Sequence, residues 1–222
     1  MGFYFKRDTE FDDLFRAAAK THASEAGMTV GGFFALLKGI AAVESEYDPR
    51  SILHEPSHTT AGKPTDTDAS RGLMQTTEEV ARDRGWPKGK PYDGLFDPAT
   101  SIEFGCREII RYLKNPLVNV KPASLPTVRR VARPVMEQAL SAYNMGYPRS
   151  ILSTTEHLAK QYGYPFSYKT KPPEGWFFAN QSYVNQVLSY RTMYDALERG
   201  DKTTAGKLRE VIKKKGSTGK WA

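Results

Sequence analysis

Residues His54 to His58 read HEPSH, which fits H-E-x-x-H letter for letter. On a helix this spacing puts two imidazoles on one face to hold zinc, with the glutamate as general base. Pro56, however, sits in the middle of the five, where an interior proline costs about 3 kcal/mol of helix stability. The flanks SIL and TTAGKP form no apolar stripe, and no convincing third ligand follows. A zinc protease is not expected, nor any metal or cofactor. His54, Glu55 and His58 read as a solvated loop that could border a substrate site.

Glu44 is the residue with more chemical promise. It follows Ile40 by four positions, Leu37 by seven and Phe33 by eleven, so at helical spacing it shares their apolar face. A carboxyl in that setting is disfavoured as an anion, which is expected to raise its pKa and suit it to general-acid work near neutral pH. From this feature alone a carboxylate paired with an arginine is an equal reading. Glu46, two residues on, points elsewhere and is expected to be solvated. The lone Cys106 sits at helical spacing with Ile102, Ile109 and Leu113. It reads as a small buried residue rather than a nucleophile, and no internal disulfide can form.

The elements that would position these groups are mostly helical. The periodicity predicts helices within 8–27, 30–47, 97–116 (bracketed by proline at both ends), 127–146 (kinked or started by Pro134), 149–163, 180–200 and 201–215. Two stretches read as loops, Asp48 to Arg71 and the proline- and aromatic-rich 164–180, and either could line a cleft. Strand signals are weak. The expected architecture is mainly α, one compact helical domain over 1–222 with its core at about 11–194 and a basic C-terminal helix and tail at 199–222.

The chain of 222 residues is 39% hydrophobic and 26% charged, ordinary for a soluble globular protein. No apolar run approaches the roughly 20 residues of a membrane span. The opening MGFYFKRDTEFDD lacks the pattern of a signal peptide. A net charge of +7 and a pI near 9.3 favour an anionic partner: nucleic acid, acidic lipid or bacterial cell wall. Much of the excess lies in KLREVIKKKGSTGK, which also reads as a frayed, solvated tail. A basic virion or nucleic-acid-binding protein is the non-enzymatic alternative, although no helix-turn-helix, RNP or Cys/His signature appears.

Four segments in order separate these readings: ESEYDPRS, SRGLMQTTEEVARDRG, LFDPATSIEFGCREIIRYL and ALSAYNMG, followed by a late YVNQVLSYRTMY. Taken together, over roughly Phe11 to Tyr194, they resemble the lytic transglycosylase family of lysozyme-like fold, the branch that includes goose-type lysozymes. The resemblance implies an α+β lysozyme-like fold and peptidoglycan as the partner, with no nucleic acid and no metal. It makes Glu44 the catalytic acid and Ser45 the serine after it. Gly72, Leu73, Met74 and Gln75 become the turn that packs beside the acid and lines the sugar site, although plain core packing accounts equally for Leu73, Met74 and Ala142. Tyr143 and Asn144 match the pair facing the carboxyl, Gly146 allows close approach, and Tyr183 matches the tyrosine of the last motif. The implied reaction cleaves the β-1,4 bond between MurNAc and GlcNAc, with Glu44 as acid and then base and a 1,6-anhydro ring as product.

Two departures from the family pattern stand out. Ser101 occupies a position where the family often has Asn, which is expected to cost a local hydrogen bond. In addition, 28 positions separate Glu44 from Gly72, longer than usual, and the extra stretch supplies Asp66 and Asp68. Goose-type lysozymes carry an aspartate in this neighbourhood that positions a water, so plain hydrolysis stays open. The expected setting is a monomeric phage lysin made in the cytoplasm without a signal peptide and acting on the cell wall, its basic tail against the anionic envelope.

Overall fold

A computed structural model of the protein describes residues 2, 4–54, 69–114, 135–145 and 181–218. Its centre is the second helix. Helix α1 spans Asp12–His22 and α2 spans Val30–Glu44, the latter capped by Thr29, whose Oγ1 accepts from the Gly32 amide at 3.1 Å. Ten of the fifteen residues of α2 are buried, so it is a core helix covered on several sides rather than an amphipathic surface helix. The cover comes from α1 and from α6 (Gln181–Glu198), with α7 (Lys202–Thr218) packed outside α6. Burying Phe33, Leu36, Leu37 and Ile40, each 0% exposed, contributes on the order of 6–12 kcal/mol of apolar transfer energy.

Gly39 makes the crossing of α2 and α6 close. A Cβ built there would lie 2.9 Å from the Val187 carbonyl oxygen and 3.0 Å from the Arg191 amide nitrogen, so a side chain would push the two backbones apart. One residue earlier, Lys38 is buried on the same helix. Its ammonium meets the Asp12 carboxylate and the Asp8 carbonyl and lies 4.5 Å from the Tyr194 ring centroid. Burial pulls the lysine's pKa down while the Asp12 carboxylate pulls it up, and burial is the larger effect. A bidentate Arg16–Glu198 pair, 2.7 and 3.0 Å, ties α1 to α6 at the surface.

The proline-bracketed helix is α4, Pro98–Lys114, and the Asp97 carboxylate caps it by accepting from the Thr100 amide at 2.9 Å and hydroxyl at 2.7 Å. Cys106 is 0% exposed within α4, and burial pushes its thiol pKa up, so it is the inert core residue its spacing suggested. Helix α5 is described over Val135–Met145 and packs on α4 and α6. The helix expected at 149–163 and the loop at 164–180 lie outside the described residues.

The reading of Asp48 to Arg71 as wholly loop is corrected. Strands β1 (Ile52–His54) and β2 (Ala69–Arg71) fall within it, and β3 (Thr76–Thr77) follows, forming an antiparallel sheet of order β1-β2-β3. Ile52 pairs with Arg71 and Leu53 with Ser70, while Arg71 pairs with Thr76. Strands of two or three residues are too short to show a period of two. A six-residue helix, α3 (Glu78–Asp83), also had no recognised signal; Thr77 caps it by accepting from the Val80 amide at 3.2 Å. A buried ion pair at 2.9 Å between Arg71 and Glu78 clamps the base of the hairpin to this helix.

Candidate active site

Glu44 is the last residue of α2, half-buried, and the chain turns sharply after it. Glu46 and Tyr47 have φ of 51° and 63°, a left-handed conformation that costs roughly 1–3 kcal/mol at each non-glycine residue. Tyr47 offsets that cost. The turn folds its ring back under the helix, where it is 0% exposed and its hydroxyl donates to the Lys38 carbonyl at 2.9 Å. Glu46 points to solvent, as its spacing implied. The helix end that presents Glu44 is therefore fixed from below by an aromatic plug.

Ser45 caps α2, and its Oγ lies 2.9 Å from the Leu73 carbonyl and 3.2 Å from that of Ala41. Its hydroxyl joins the end of α2 to the turn Gly72–Gln75 that links β2 to β3. Three further groups hold the same turn. The Met74 amide donates to Ser101 Oγ at 3.1 Å, the Tyr143 hydroxyl donates to the Met74 carbonyl at 2.8 Å, and the Gly72 amide donates to the Ser51 carbonyl at 2.9 Å. Ser101 thus makes the local hydrogen bond that its replacement of Asn was expected to lose, because a short side chain on α4 reaches a turn packed directly against it.

Gly72 is required at its place. Its φ is 77°, and a Cβ would run into the Leu95 backbone carbonyl and lie 2.7 Å from Ser101 Oγ. Gln75, at φ 46°, donates its side-chain amide to the carbonyls of Gly72 (2.9 Å) and Ser51 (3.1 Å), closing the turn. Leu73 and Met74 are 0% exposed. Their side chains belong to the core, so the face of the turn open to a substrate consists of Gln75 and backbone.

Glu44 receives its partner from far along the chain. Tyr183, in the first turn of α6, donates its hydroxyl to Glu44 Oε1 at 2.6 Å. Burial first, then the charge of Glu44 and the hydrogen bond to it, hold the Tyr183 phenol well above its ordinary pKa. Burial and the charge of Glu44 do the same to Tyr143. Both phenols keep their protons across the range in which a carboxyl titrates, so each is a fixed donor and neither can act as a base. Tyr183 meets Glu44 directly, while Ser45 and Tyr143 fasten the Gly72–Gln75 turn beside the end of α2. Asn144 is exposed on the last turn of α5. Gly146, Asp66 and Asp68 lie outside the described residues. His54 closes strand β1, whereas the zinc reading needed it on a helix.

A mostly helical domain that presents one carboxyl at the end of its buried central helix, beside a small sheet, has the layout of the lysozyme-like fold. The chain matches the transglycosylase SLT domain over residues 24–161, more than half its length, and it belongs to that family. The family's members are lytic transglycosylases that cleave glycosidic bonds in peptidoglycan, and the protein is an enzyme of that class. The matched stretch contains α2, the sheet, α4 and α5, and it ends before α6 and Tyr183. Comparison with curated proteins gives no match, nor does comparison with solved structures.

Proposed function

We propose that Glu44 is the single acid and base of a lytic transglycosylase that cleaves the β-1,4 bond between MurNAc and GlcNAc. The observation that carries this is the Tyr183 hydroxyl, 2.6 Å from Glu44 Oε1. With Oε1 occupied as an acceptor, the proton of the neutral acid is directed to Oε2, the atom that in this reading serves the leaving group. Glu44 gives that proton to the glycosidic oxygen as the bond to the anomeric carbon breaks, and the sugar's N-acetyl oxygen stabilises the oxocarbenium-like centre. The resulting carboxylate accepts the proton of the muramic 6-hydroxyl, whose oxygen attacks the anomeric carbon and closes the 1,6-anhydro ring. The proton returns to Glu44, and no water is consumed. The fixed donor Tyr183 stabilises the charge that appears on Glu44 between the two steps, while the Tyr143 hydroxyl holds the Met74 carbonyl of the neighbouring turn.

Glu44→Gln removes the transferable proton and keeps the shape, so it abolishes the loss of turbidity of purified sacculi while the circular dichroism stays unchanged. Full activity in this variant refutes the mechanism. Mass spectrometry of the released fragments reads the product: 1,6-anhydro ends support transglycosylation. Reducing ends, one water heavier, favour hydrolysis with Asp66 or Asp68 positioning the water. Helix α7 supplies a second contact with the wall. Lys202, Lys207, Lys213 and Lys214 are exposed along it and draw the enzyme to an anionic polymer. Retention on sacculi that falls as salt rises is the matching measurement.

A further inference from the structure

The arginines of the described chain mostly serve carboxylates of their own: Arg7, Arg16, Arg71, Arg84, Arg107 and Arg199 each form an ion pair. Arg50 differs. It is exposed, its guanidinium has no ion pair among the described residues, and its central carbon lies 5.8 Å from the centroid of the Phe96 ring. The nearest acid in sequence, Asp48, is engaged elsewhere. Its Oδ1 accepts from the Arg50 backbone amide at 2.9 Å and faces Arg7 Nη1 at 3.7 Å.

The place of this pair matters as much as its chemistry. Arg50 immediately precedes Ser51, whose carbonyl holds both the Gly72 amide and the Gln75 side chain. Phe96 immediately follows Leu95, whose carbonyl packs on Gly72. The pair therefore flanks the turn that carries Gln75. The six steps from Glu44 to Arg50 are drawn in by two hydrogen-bonded turns, Asp48 to Ser45 and Ser51 to Asp48, so the Cα atoms of the two residues stand within roughly 20 Å of each other.

We infer that Arg50, held over Phe96, is an anion subsite at the rim of the active site that takes a carboxylate of the peptide carried by the glycan. Contact with an aromatic ring orients the guanidinium plane and leaves its N–H fork free for a bidentate acceptor. The inference rests on the reading of the protein as a peptidoglycan-cleaving enzyme and adds a preference for strands that bear stem peptides.

The test compares two soluble substrates, glycan strands with intact stem peptides and the same strands stripped of peptide by an amidase. In Arg50→Ala the ratio of kcat/KM on peptide-bearing to peptide-free strands falls about five- to tenfold from the wild-type ratio. The fall is expected in KM rather than kcat, it shrinks as salt is raised, and Tm does not change because the residue is exposed. Arg50→Lys, which keeps the charge but loses the fork, recovers part of the ratio. An unchanged ratio overturns the subsite, whether both rates fall alike or neither falls. A wild-type protein that cleaves neither substrate overturns instead the peptidoglycan reading on which the subsite stands.

Discussion

Replacing Tyr183 with phenylalanine deletes one hydroxyl and keeps a ring that is 93% buried within the first turn of α6. The lost bond is short, 2.6 Å, and in the proposed mechanism its acceptor carries charge in part of the cycle. Hydrogen bonds of that kind are worth about 1.5–3 kcal/mol. Some of this is also present while Glu44 is neutral, and only the part that grows as charge develops on the carboxylate lowers the barrier. Taking about half, the loss is about 0.75–1.5 kcal/mol and kcat falls roughly four- to tenfold. The same reasoning fixes a sign for pH. The hydroxyl favours the ionised carboxylate over the neutral acid, so without it Glu44 keeps its proton to higher pH. The alkaline limb of kcat/KM, where the general acid is lost, therefore moves up by as much as about one unit. Initial rates on soluble glycan strands across the acidic to mildly alkaline range measure both effects, with Tm as the control for folding. A limb that stays in place or moves to lower pH, with the fold intact, refutes the assignment of Tyr183 as donor to the ionised acid.

The other predictions concern how the site is held. Gly72→Ala forces a side chain into a left-handed position against the Leu95 carbonyl, and urea denaturation is expected to show a loss of about 2–4 kcal/mol. Asp97→Ala removes the cap of α4 and costs about 1 kcal/mol at neutral pH. The Thr100 hydroxyl and amide hold the Asp97 carboxyl below its ordinary 3.8. Its contribution is therefore complete above that value and disappears as pH falls through the lower folded value, so the Tm difference between wild type and variant closes in acid.

Helix α2 was legible because a regular apolar spacing runs for about three turns up to Glu44, and α4 because prolines mark both its ends. The same spacing says nothing of the burial of Lys38. Nothing local shows that Asp12 and Tyr194, one before it and one 156 positions after it, enclose its charge. The hairpin was invisible as strands since its pairing partners are two or three residues long and the information lies in the turn. Ser45, Gly72 and Tyr143 were found through their motifs, yet what they do follows from contacts between distant segments: a carbonyl of the turn for each hydroxyl, and a backbone pressed against the glycine. Tyr183 is 139 residues from Glu44, and spacing alone gives no reason to join them. Arg50 lacked any signal, since an exposed arginine in a loop is unremarkable until its neighbours are seen to leave it without an acid.

The close crossing at Gly39 gives the active site a fulcrum. Glu44 stands five residues along one arm, about 7 Å, and Tyr183 four residues along the other from Val187, about 6 Å. At that leverage a change of about ten degrees in the angle between the helices, within the scatter ordinary helix pairs show, shifts the tips by about 1 Å. Such a shift separates a hydrogen bond from a mere approach. The Glu44–Tyr183 hydrogen bond is thus adjustable from the middle of the core. Substitutions near Gly39, Val187 or Arg191 that never meet the substrate would tune the enzyme up or down as a string is tuned from its peg.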